Sequence, residues 1–108
     1  MAINDRAVLQ SVFVNPASSG SNTVLAAVAG LSYKVYGFFL ISTLANSVKF
    51  LSAATDISAT LPLAANGGLV VPPGDSPWFK TVAGEALNVN LSVSTATGVH
   101  VLYEVYHG

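Results

Sequence analysis

The feature that most narrows the fold is a two-residue alternation that keeps returning and never gives way to a sustained helical period. In VHVLYEVY (99–106), Val99, Val101, Tyr103 and Val105 fall on one side, and His100, Leu102, Glu104 and Tyr106 on the other. In ALNVNLSVS (86–94), Leu87, Val89, Leu91 and Val93 alternate with Asn88, Asn90, Ser92 and Ser94. Successive side chains of a strand point to opposite faces, so each run describes a half-buried strand. Further runs of this kind are SVFVN (11–15), TVLAAVAG (23–30), SYKVYGFFLIS (32–42), VKFLSA (48–53), ATLPLA (59–64), LVVP after it, and WFKTV (78–82). About nine short strands with turn signals between them predict an all-β, single-domain antiparallel β-sandwich with jelly-roll-like connections.

The turn chemistry suggests how neighbouring strands join. PASSGSN (16–22) is a loop by composition, and PPGDSP (72–77) is a stiff one. Three hairpins are expected: 32–42 with 48–53 through Ala45-Asn46-Ser47, one at the Asn-Gly step of ANGG (65–68), and 86–94 with 99–106 through TATG (95–98). Pro62 marks an edge or a bulge, because proline donates nothing to a ladder. Residues 11–108 are expected to form the sandwich domain. Residues 1–10 form either a short turn capped by Asn4 or Asp5, or an arm that orders against a partner.

Composition sharpens the reading. The chain has 108 residues, enough for one core without a staple, and no cysteine. Charged residues make up 8%, against about 25% in ordinary soluble domains. Ser, Thr, Asn, Ala and Gly take their place, and such a surface is cheap to desolvate because no ion must leave water. The chain is then either a neutral β-domain or one whose surface is largely covered by other chains. Net charge is −1, and Arg6, Lys34, Lys49 and Lys80 are scattered, so no nucleic-acid partner is expected. Val24 to Thr43 is long enough to span a bilayer but is broken by Gly30, Ser32, Lys34 and Gly37; a sheet is expected there, with no membrane partner. Asp5 and Arg6 stand where an export signal needs an apolar run.

Catalytic patterns are missing. The imidazoles are His100 and His107 and the acids are Asp5, Asp56, Asp75, Glu85 and Glu104; no two fall at a metal-loop or glycosidase spacing. There is no nucleophile elbow, P-loop or dinucleotide fingerprint. No catalytic residue, cofactor or metal is therefore expected. Candidate contact residues are Asn4, Asp5 and Arg6, two of them charged, together with Trp78, Asn88 and Asn90. Trp78 is either a core plug or an aromatic platform for a sugar or a neighbouring subunit. Asn88 and Asn90 face either water or a partner to which they hydrogen-bond.

Two stretches carry a family resemblance: VKFLSAATDISATLPLAANGGLVVP and PWFKTVAGEALNVNLSVSTATGVHVLYEVY. With the LPLAANGG turn and the AGEALN segment, they resemble small structural proteins of tailed bacteriophages, over roughly residues 30–106. The resemblance implies a capsid decoration (cement) subunit, a homotrimer that binds the phage major capsid protein and stabilises the mature shell. It would be made in the host cytoplasm and sit on the virion capsid surface. It supplies no catalytic or ligand residues, and the first 20 residues lie outside it. The alternative is a tail, fibre or baseplate module binding a receptor or carbohydrate, with Trp78 and the 72–77 loop as its site.

Overall fold

The computed structural model describes residues 9–107. It is a sandwich of two antiparallel sheets. The front sheet runs β1 (Gln10–Val14), β10 (Thr97–His107), β3 (Leu31–Ser42), β7 (Gly67–Val71), with β8 (Phe79–Lys80) also paired to β3. The back sheet runs β2 (Gly20–Leu25), β9 (Leu87–Leu91), β4 (Asn46–Ser52), β5 (Thr55–Asp56), with β6 (Leu61–Leu63) also paired to β4. Strands adjacent in the chain mostly lie in opposite sheets, and β1 and β10 meet at opposite ends of the sequence. This wrapping is that of a jelly roll, as expected.

The same wrapping overturns the three expected hairpins. β3 and β4, β6 and β7, and β9 and β10 each divide between the two sheets. β9 pairs with β2 and β4, while β10 pairs with β1 and β3. The short connections were read correctly as turns, but each carries the chain across the core. β4 and β5 pair directly around Ala53-Ala54. Two strand boundaries also move. The alanine-rich 26–30 stretch is loop, with Val28 its one β-branched residue, and β2 reaches back to Gly20. Val24–Thr43 thus comprises the end of β2, a loop and β3, and no helix among the described residues is long and apolar enough to cross a membrane.

The core lies between the sheets. Val35, Phe38, Leu40, Val99 and Val101 of the front face Val48, Phe50, Leu87, Val89 and Leu91 of the back. Each such burial contributes about 1.5–3 kcal/mol before entropy. Phe50 is fully buried with Phe38 edge-on at 5.0 Å and Phe79 at 5.1 Å between ring centroids. The inward sets of β9 and β10 are those the alternation predicts, except Val93, expected inward but exposed just past the end of β9. In β3 the phase switches: Tyr33 and Val35 point inward, then Phe38 and Leu40. A bulge absorbs the change, since Leu102 pairs with Gly37 and Tyr103 with Val35, leaving Tyr36 as the extra residue.

Candidate docking face

The outward side of the front sheet is apolar where it should be polar. The register aligns Phe13 of β1 with His100 of β10, His100 with Phe39 of β3, and Phe39 with Val70 of β7. One row thus crosses four adjacent strands. Phe13 is 70% exposed, Phe39 40%, Ile41 55% and Val70 73%. The His100 ring sits between its aromatic neighbours, 4.8 Å from Phe39 and 6.0 Å from Phe13. The exposed area of these four apolar side chains is about 400 Å², within the range of the largest apolar patch on a typical monomer, which is often functional.

Beside the row lies a hollow of about 270 Å³, walled by Phe39, Val70, Pro72, Pro73, His100 and Leu102. Gly37 helps to make it. A Cβ at this position would meet Pro73 N and Val71 O at 2.9 Å, so only glycine lets the Pro72-Pro73 segment lie against β3. Toward the other end of the face the character changes. Lys34 and Glu104 are cross-strand partners, the Tyr36 hydroxyl donates to Glu104 Oε1 at 2.9 Å, and Lys34 Nζ stands 3.9 Å over the Tyr106 ring. The face therefore has an apolar end without Lys, Arg, Asp or Glu, and a polar end where Glu104, Lys34 and Lys80 line up across β10, β3 and β8.

The contact residues expected from sequence are dispersed. Asn4, Asp5 and Arg6 lie outside the described residues. Asn88 and Asn90 lie on the outer side of the back sheet, half-buried: Asn88 between Thr23 and Leu51, Asn90 between Ser21 and Lys49. Asn88 Nδ2 donates to Ala53 O at 2.9 Å, so part of the amide row fastens the chain to itself. Ser92 Oγ likewise accepts from Ser47 N at 2.8 Å and donates to Asn46 Oδ1 at 2.9 Å.

Trp78 is 59% exposed, so it is not a core plug. Its Nε1 donates to Pro72 O at 3.3 Å and its backbone N to Val35 O at 2.7 Å, which fix the indole on the flank of the sandwich. There it borders an apolar hollow of about 400 Å³ with Ile57, Leu61, Val71 and Phe79. That hollow opens where the outermost strand of each sheet is split, β7 from β8 and β6 from β5.

Among the described residues the His, Asp and Glu side chains do not converge on one site. His100 is flanked by Phe13 and Phe39, Asp56 is paired with Lys49 at 3.1 Å, and Glu85 Oε1 accepts from Ser52 Oγ at 2.5 Å. Among the described residues no group of three or more His, Asp or Glu is placed to hold a metal. Sequence reasoning missed Phe13, Phe39, Ile41 and Val70, each of which sits in an apolar run. The legible signal was β3 itself, where FFLI (38–41) puts apolar residues on both faces.

No family model matches the chain, and no curated protein does. Among solved structures it is similar to a chain from Bacillus endospore appendages, a family of disulfide-linked pili. The identity is 14% and the TM-score 0.51, over 99% of this chain and 95% of that one. It is also similar to the C-terminal domain of EclA, a sugar-binding protein, at 18% identity and TM-score 0.45, over 97% and 83% of the two chains. The likeness to the appendage chain is one of fold.

Proposed function

We propose that the protein is a non-enzymatic structural subunit that acts by docking the front-sheet face into a larger assembly, and that this assembly is the capsid of a tailed bacteriophage, which it decorates. The observation that carries this reading is the apolar row Phe13–His100–Phe39–Val70 on the solvent side of the sandwich. Burying such a row removes apolar surface from water and buries no Lys, Arg, Asp or Glu. A subunit that binds only the assembled shell stabilises it by mass action. The 108 residues hold no cysteine, so the joint is not a disulfide through them. The capsid and the virion surface enter through the sequence resemblance.

Pelting capsids through a cushion tests the reading. Virions are stripped of the chain, and purified chain is added back. Wild type is expected to sediment with the shells, whereas Phe39→Glu, with an unchanged melting curve, stays in the supernatant. Equal sedimentation of both, or of neither, contradicts the assignment.

A second reading is favoured by one observation, the exposed indole of Trp78 beside its hollow. In that reading the chain is a tail or fibre module that binds a receptor carbohydrate on the flank. A glycan array separates the two: a signal abolished by Trp78→Ala supports the flank site, and a blank array supports docking alone.

A further inference from the structure

We infer that the occupant of the front-sheet face is a second copy of the same face, joined through a twofold axis that runs along the strands between β10 and β3. This rests on reading the face as one buried in the assembly, and adds that what covers it there is another subunit, so that the particle takes up the chain as face-to-face pairs.

The argument begins with the order of the strands. The row reads Phe13, His100, Phe39, Val70 across β1, β10, β3 and β7, so its midpoint falls between His100 and Phe39. Rotation by a half-turn about an axis through that midpoint, parallel to the strands, turns the second copy's face onto the first. It keeps the two sets of strands aligned, as in sheets packed face to face. It brings Phe13 of one copy over Val70 of the other, and His100 over Phe39, twice each. An isologous contact of this kind requires one surface that is complementary to itself.

Two features meet that requirement. The first is charge. Lys34 lies on β3 with Glu104 beside it on β10, on either side of the axis, and with Lys80 of β8 on its outer flank. The half-turn therefore sets Lys34 of each copy over Glu104 of the other. The second is area. The four exposed apolar side chains offer about 400 Å² per copy, most of the apolar share of a standard interface of about 800 Å² per partner.

The test uses the full chain in solution, with sedimentation velocity as the readout. Wild type is expected to be a dimer at micromolar concentration. Phe13→Asp, with an unchanged melting curve, is expected to raise the Kd by about thirtyfold or more. Lys34→Glu and Glu104→Lys each put like charges over each other across the axis and are expected to weaken the homodimer by about tenfold. Mixing those two variants restores attraction at both contacts, so a heterodimer forms at concentrations where neither variant pairs alone. That rescue is specific to the twofold arrangement, because damage to the fold would not be repaired by mixing.

A trimer, or a dimer indifferent to Phe13→Asp and to the charge exchange, overturns the inference. So does a chain that stays monomeric. If such a monomer still binds capsids and loses them with Phe39→Glu, the docking function stands and only the self-pairing fails.

Discussion

At the scale of single residues, the protein shows where side-chain chemistry and backbone conformation disagree. Ala53 sits in the two-residue turn between β4 and β5 with φ near 52°, a left-handed conformation that costs an L-residue about 1–2 kcal/mol. Replacing it with glycine relieves that strain at the smaller expense of a more flexible unfolded chain. Ala53→Gly is expected to stabilise the fold by about 0.5–1 kcal/mol, read from urea denaturation with an unchanged slope. Phe50 is the opposite case, fully buried between two aromatic rings. Phe50→Ala is expected to cost about 3–5 kcal/mol, enough to lower the melting temperature by more than ten degrees or so. Phe50 was legible as a strand residue of VKFLSA. The strain at Ala53 was not, because alanine is no marker of a left-handed turn, whereas Asn66, with φ near 57°, lies in the Asn-Gly step that the sequence marks as a turn.

At the scale of elements, polar pins do work that hairpins were expected to do. Asn46 opens β4 and is buried. Its Oδ1 accepts from Ser92 N at 3.0 Å, Ser92 Oγ at 2.9 Å and Val93 N at 3.1 Å, and its Nδ2 donates to Thr97 Oγ1 at 3.3 Å. One amide thus ties the back sheet to the chain as it crosses into β10. Asn46→Ala orphans several of these partners and is expected to cost about 2–4 kcal/mol, measured by chemical denaturation. Gly37→Ala drives a methyl against the backbone of Val71 and Pro73. It is expected to cost about 1–3 kcal/mol and to displace the Pro72-Pro73 wall of the front hollow, visible as amide shift changes centred on residues 71–74. The inward faces of β9 and β10 were readable because strict alternation leaves one solution. Pairing was not, because it depends on which sheet a turn delivers the chain to. Ala45-Asn46-Ser47 reads as a tight connection whether it closes a hairpin or crosses a sandwich.

At the scale of the whole molecule, the low charge is unevenly distributed. The apolar end of the front face presents aromatic and aliphatic groups, while Lys34, Lys80 and Glu104 lie at its other end and Lys49 pairs with Asp56 on the back sheet. Composition announced a surface cheap to desolvate, but it pointed to the amides of β9 as the place. Asn88 and Ser92 prove to be partly engaged within the chain. The exposed face arises from tertiary register, which sets residues from positions 13, 39, 70 and 100 in one line. A single sequence contains each residue of that line but not the line itself.

Radical footprinting read by mass spectrometry tests the docking claim most directly. The chain is labelled once as a dilute monomer and once in its assembled particle. Phe13, Phe39 and Ile41 are expected to label strongly in the first state and to be shielded in the second, while Trp78 labels in both. Shielding of Trp78 or the β9 amide row, with the front-sheet aromatics equally reactive throughout, would contradict the account.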